Sequence, residues 1–185
     1  VPPYFFVDLN MRKAFFYAFN YQQYINQILG NAVYNTKFGE LYAGIIPNGM
    51  AGYQNLSYLA KFDMTLAHQY YNQTQWVKDR GWATSGFTLA LNVGQEDPIA
   101  SAAAAMWAQS LEQLAPPDQI HITIVPITDA EVTANAVPHQ NPMGIYSVGF
   151  GWAPDYPWPT DYTVPMLLPG VTYKTPYGGY YTAPN

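Results

Sequence analysis

The chain has 185 residues, of which 49% are hydrophobic and only 10% charged, with a net charge of -5 and no cysteine. Its length and apolar share suffice for one domain with a proper core, and its seven basic residues do not cluster, which excludes a phosphate-binding nucleic-acid surface. The lack of cysteine rules out disulfides, thiolate nucleophiles and Cys-based zinc sites, and no apolar run approaches the roughly 20 residues of a membrane-spanning helix.

In chain order, Val1 to Val7 reads as a short extended lead-in with Tyr4, Phe5 and Phe6 as a buried edge. Asp8 is placed to cap a first helix, its carboxylate taking a free N–H of the first turn. Apolar residues at 11, 14, 15, 18, 19, 25, 28 and 29 mark one helical face, with a stop at Gly30. Arg12 and Lys13 fall off that face and read as solvated. Pro47-Asn48-Gly49 is a turn.

Asp63 is expected to cap a second helix with an inner face of Leu66, Ala67, Tyr70, Tyr71 and Val77, ending near Gly81. His68 falls on its outer side. A strand follows over Gly86 to Val93. Asp97-Pro98 opens a third helix, the cap being followed by proline at the first helical position, and that helix stops at Leu114 before Pro116-Pro117.

Ile120 to Ile127 is a second strand, with Ile120, Ile122 and Ile124 on one face and His121 and Thr123 on the other. Thr128 to Glu131 begins a short helix that ends before Pro138, and a third strand starts at Gly144. Alternation of helix and strand predicts parallel or mixed α/β packing. There is no internal repeat and no interior linker.

The last strand runs into Trp152-Ala153-Pro154-Asp155-Tyr156-Pro157-Trp158-Pro159. Three prolines in so short a stretch forbid a helix interior or a central strand and fix a stiff exit from the sheet. Asp155 stands there among Trp152, Tyr156 and Trp158. On the residues alone it is either an Asx-turn device or a ligand contact.

Other chemistry finds little support. His68, His121 and His139 show no ligand spacing, and neither GxSxG, GxGxxG nor a P-loop is present. Asp155 and Asp161 could be the two carboxylates of a glycosidase, but proline-rich chain between them allows many separations. Two sequons occur, Asn55-Leu56-Ser57 and Asn72-Gln73-Thr74. With aromatics at 17%, and charge far below the roughly 25% of ordinary domains, the surface changes its charge little as pH falls. That suits an acidic or extracellular setting.

Several stretches taken together resemble the family 5 solute-binding proteins of ABC importers, the oligopeptide and dipeptide receptors. Asp8-Leu9-Asn10-Met11-Arg12-Lys13-Ala14-Phe15-Phe16-Tyr17-Ala18-Phe19-Asn20 is similar to the family's D-x-x-V-R-x-A-[LF]-x-Y-A-[IF]-[ND] helix, with Met for Val. Gly44 to Gly52 is similar to G-x-[IL]-P-x-G-x-x-G. Phe62-Asp63 with Ala67, Tyr70 and Tyr71 resembles the Y-D-x-x-x-A-x-x-L-L helix. Gly151 to Pro159 resembles G-W-x-A-D-Y-x-D-P, departing at Trp158 where an acid is usual.

The resemblance implies an α/β, periplasmic-binding-protein-like fold of the type II, two-lobed family. Residues 1–185 would be part of its C-terminal lobe, a mixed sheet flanked by helices. It also implies a non-catalytic receptor without cofactor or metal that captures oligopeptides by lobe closure. Ligand contacts would come from Asp155, pairing with the ligand's α-amino group, and from Trp152, Tyr156 and Trp158. The implied partners are an N-terminal lobe of the same protein and a membrane permease. The implied place is extracellular or periplasmic, with an anchor outside this stretch. Two alternatives stay open: an oligosaccharide-binding member of the same family, and a non-catalytic structural or adhesive surface domain.

Overall fold

The computed structural model describes residues 1, 5–30, 39–41, 46–128, 130–131, 144–145 and 158–167. Its centre is strand β1, Phe87–Gly94, paired in parallel along its length with β2, Ile120–Ile127, from Phe87↔Ile120 to Gly94↔Ile127. On the other side of β1 lies β3, Gly144–Ile145, also parallel, with Asn92 opposite Gly144. The sheet order is therefore β2-β1-β3, all parallel among the described strands. The alternation predicted for β2 holds: Ile120 is buried, while His121 and Thr123 are exposed.

One face of β1, carrying Phe87, Leu89, Leu91 and Val93, packs into the core. The helix between β1 and β2 covers it, contributing Ala100, Ala104, Ala108 and Leu111. Small residues along one stripe of that helix allow its backbone to approach the sheet closely. It spans Pro98–Glu112, and its Asp97 cap accepts hydrogen bonds from the N–H groups of Ile99 (3.0 Å) and Ala100 (2.9 Å). Glu112 at its far end accepts the Ile122 N–H at 3.0 Å, occupying a donor of strand β2.

The other half of the core is aromatic. Helix α1, Leu9–Tyr17, and helix α3, Met64–Asn72, pack on each other. Phe5 (fully buried), Trp76, Trp82 and Phe87 form a stacked and tilted cluster with ring centroids 5.2–5.9 Å apart, within the range of favourable aromatic pairing. Residues 5–7 are buried as predicted at Phe5 and Phe6, but they form a 3-10 turn rather than an extended edge. Their carbonyls, which no strand ladder satisfies, find side-chain donors instead: Trp76 Nε1 donates to Phe5 O at 3.1 Å, and Arg12 Nη1 to Phe6 O and Val7 O.

Arg12 is thus a clamp on the lead-in and not a solvated charge. Lys13 likewise lies over the Tyr70 ring, 4.9 Å from its centroid. Both readings of that basic pair as solvated are corrected.

Two predicted helices are each broken in two. The first ends at Ala18, and Asn20 starts a new turn, α2 (Tyr21–Gln23), by accepting the Gln23 N–H at 3.0 Å. The chain continues as a π-helical turn, Tyr24–Ile28, closed by Leu29 N–H to Tyr24 O at 2.9 Å. An Asn side chain competes for backbone donors inside a helix, and here it wins. The second break is at Thr74, which is fully buried. Its Oγ1 donates to Tyr71 O (2.8 Å) and accepts the Val77 N–H (3.2 Å), capping α4, Gln75–Arg80. Gly81, in the left-handed region, ends α4 as predicted and leads into α5, Trp82–Ser85. After the Pro98–Glu112 helix, α6, the described chain ends with α7, Pro159–Leu167.

Candidate binding crevice

Three parallel strands in the order β2-β1-β3 have a topological switch point between β1 and β3, because the connection from β1 runs to the opposite side from β3. In open α/β sheets the crevice outside the carboxyl ends of the strands at such a point is where ligands bind. Here that end carries Asn92, Gly94 and the turn Gln95-Glu96-Asp97.

The turn is held from both sides. Gln95 N–H donates to Ile127 O at 2.8 Å, tying it to the end of β2, and Asp97 N–H donates to Gly94 O at 3.1 Å. Asn92 is a buried carboxamide, 4% exposed, and by the alternation of the strand it lies on the face opposite the core. Beside β2, Thr128 and Glu131 form a reciprocal capping box. Glu131 Oε2 accepts the Thr128 N–H (2.8 Å) and hydroxyl (2.9 Å), and Thr128 Oγ1 accepts the Glu131 N–H (3.3 Å). The helix start predicted there is present; the remainder, to 138, lies outside the described residues. Those bonds from the Thr128 N–H and hydroxyl hold the Glu131 carboxyl below its ordinary value.

The π-helical turn packs on α6, with Tyr24 near enough to Asp97 to feel its charge. Burial, and secondarily the charge of Asp97, raise the Tyr24 phenol above its ordinary pKa, so it stays a neutral hydrogen-bonding group. Phe19 sits edge-on to both Tyr24 (5.6 Å) and Trp107 (5.4 Å), and Trp107 Nε1 donates to Phe15 O at 3.1 Å. The aromatic contacts therefore run from the core residue Phe15 through Trp107 and Phe19 to Tyr24. On the outer side of the same turn, Asn20, Gln22, Gln23, Asn26 and Gln27 line a shallow cleft of about 320 Å³.

Of the predicted ligand contacts, Trp158 is described. It precedes α7, is 63% exposed, and its carbonyl accepts the Asp161 N–H at 3.1 Å. Trp152, Asp155 and Tyr156 lie outside the described residues, as does His139. Asp161 is buried in the first turn of α7, a position where a carboxylate complements the helix dipole.

A second groove of about 490 Å³, lined by Glu112, Asp118, Ile120 and His121 among others, sits at the opposite, amino end of β2. Its Glu112 carboxylate is engaged with Ile122 N–H. Among the described residues no group of three His, Asp or Glu side chains could hold a metal ion.

Tyr24 and Asn92 escaped the reading of the sequence. An asparagine near the end of a largely apolar strand was the available signal for the second. Nothing local announces the first, since the π turn that presents it depends on α6.

This is the architecture of an α/β unit whose parallel strands meet at a topological switch point. The sequence matches the bacterial extracellular solute-binding proteins, family 5 (middle), over residues 3–174, and the chain belongs to that family. No protein of curated function matches it. Among solved structures it is similar in fold to the pheromone receptor PrgZ, described for its structure and mode of peptide binding, with a TM-score of 0.58 and 17% identity. The similarity covers 92% of this chain and 31% of that one, so the chain spans about a third of that receptor's length. Among the described residues no helix is long and apolar enough to cross a membrane.

Proposed function

We propose that the chain is the ligand-facing part of a C-terminal lobe in the receptor of an ABC importer. It captures oligopeptides by closure against an N-terminal lobe, outside the cytoplasm and without chemistry, and delivers them to a membrane permease. The observation that carries this reading is topological. Strand β3 lies at the switch point beside β1, and the Trp152-Ala153-Pro154-Asp155-Tyr156-Pro157 stretch follows it in the sequence. Membership of the solute-binding family and a neighbour whose studied ligand is a peptide support it.

In this reading Asp155 pairs with the ligand's α-ammonium. A cation removed from water needs a charged, hydrogen-bonding partner to offset its desolvation. Trp152 and Tyr156 lower the local dielectric and offer cation–π attraction. Trp158, which is 63% exposed, offers a further aromatic face.

The test is calorimetry on the intact two-lobed protein with a peptide panel and a cello-oligosaccharide panel. Peptide binding that Asp155→Asn weakens by about 2–5 kcal/mol, at least about thirtyfold in Kd, is the expected result. Heat with saccharides alone would transfer the site to the oligosaccharide reading, which Trp158 favours because its exposed ring replaces an acid. Silence with both panels would sink the importer reading in favour of a structural surface domain.

A further inference from the structure

We propose that Asn55 is an N-glycosylation acceptor, and that the fold withholds the second sequon, Asn72-Gln73-Thr74, from the same modification. The motif is read by its side-chain amide and by the hydroxyl two residues on, both of which a transferase must reach on a surface segment. The two sequons differ sharply in that respect.

Asn72 is the last residue of α3, and Thr74, its hydroxyl partner, is fully buried. The Thr74 hydroxyl is spent twice, donating to Tyr71 O at 2.8 Å and accepting Val77 N–H at 3.2 Å. Withdrawing it for an enzyme would uncap α4 and open the α3–α4 junction next to Trp76, a buried core residue.

Asn55 instead is exposed and lies in irregular chain ahead of the 3-10 turn Ser57–Leu59. Its Oδ1 accepts the Ser57 N–H at 3.0 Å and the Ser57 hydroxyl at 2.5 Å. Both contacts fall on the carbonyl oxygen, so neither uses Nδ2, the atom that is glycosylated. Two donors on that oxygen also draw electron density from the amide and make its N–H more acidic.

In the transfer, Asn55 Nδ2 bonds to the anomeric carbon of a lipid pyrophosphate-linked oligosaccharide. The bond from that carbon to the pyrophosphate oxygen breaks, the lipid pyrophosphate leaves with the electron pair, and one amide proton passes to a base of the transferase. A glycan there would also cover Tyr58, Leu59 and Phe62, which are 72%, 44% and 39% exposed, and would hydrate a surface poor in charge. The inference rests on the extracellular setting of the proposed function but not on its ligand, so either can fail without the other.

The experiment incubates the folded chain with a single-subunit oligosaccharyltransferase that accepts the plain Asn-x-Ser/Thr motif, together with its lipid-linked donor. Intact mass and peptide mapping follow, and proteolytic peptides of the same chain serve as the unfolded control. The expected result is a gain of one glycan, at Asn55, on the folded chain, and modification of both sequons in the peptides. Asn55→Gln and Ser57→Ala each abolish the gain on the folded chain, and Asn72→Gln leaves it intact. Having two variants that act on different atoms of one site guards against misfolding of either, with circular dichroism as the check. An unmodified Asn55 in the folded chain when its peptide is modified would overturn the proposal, as would modification at Asn72 in the folded chain.

Discussion

Replacing Asp8 by alanine tests whether the acidic residue that opens the family's helix motif is a structural clamp. Asp8 uses both oxygens. Oδ1 accepts the N–H groups of Asn10 (2.8 Å) and Met11 (3.4 Å), capping α1, and Oδ2 accepts the Gln75 N–H at 2.7 Å, tying α1 to the start of α4. Loss of an N-cap costs about 1 kcal/mol. Loss of a charge-assisted bond to a backbone N–H costs about 1.5 kcal/mol here, the low end of its range, because Gln75 is exposed and water replaces the partner. Asp8→Ala should therefore destabilise by about 2.5 kcal/mol. Asp8→Asn retains one acceptor oxygen for the cap but presents an amino group to Gln75, so it should cost about 1.5 kcal/mol. Urea unfolding reads both as shifts in midpoint at constant slope. A loss under about 0.5 kcal/mol for alanine, or an asparagine variant as unstable as alanine, would refute the two-sided clamp.

Gly86→Ala should leave no cooperative melt by circular dichroism. Gly86 has φ +61° and ψ -157°, and an added Cβ would sit 1.6 Å from the backbone oxygen of Gln119, a clash on top of about 1–3 kcal/mol of backbone strain; a melt near that of the parent chain would refute this. Stability should hold from neutral to mildly acidic pH and fall only below the ordinary carboxylate range. The Asp63 carboxyl is lowered by its hydrogen bond from Lys61 and by the Leu66 N–H, and Glu131 by Thr128. A depressed pKa contributes stability that is present above the unfolded value and lost as pH falls through the folded one. Lys61, raised by Asp63, carries the opposite sign, its share lost only at strongly alkaline pH. Thermal melts across pH that collapse between 7 and about 5 would contradict both the shifts and the charge-poor surface. Trp158→Ala, at a 63% exposed position, should change stability by no more than about 0.5 kcal/mol, and a saccharide site there would show itself as lost saccharide affinity with peptide affinity retained.

What the sequence determined by itself was local. Asp8, Asp63 and Asp97 were legible as caps because an N-cap bonds only to residues two or three places ahead, and β1 and β2 were legible because alternation and branching act within one strand. The family was legible as well, from short motifs in order, and so was the turn at Pro47-Asn48-Gly49, closed by Met50 N–H to Pro47 O. Tertiary structure decided what depends on distant partners. Asn20 and Thr74 interrupt helices whose apolar pattern runs straight through them, since a side-chain cap there competes with continuation and packing against Trp107 and Trp76 tips the balance. Arg12 looked solvated until the carbonyls of residues 6 and 7, outside any strand ladder, required a donor.

The order β2-β1-β3 belongs to the same class, because a strand's neighbours follow from where its connecting helix packs and not from its own residues. That order is what sets the switch point beside β1. Asp155, Trp152 and Tyr156 are contacts proposed from the motif alone, while the sheet order sets Asn92 opposite Gly144 at the switch point. Residues far apart in the chain come together only when the core that holds them has formed.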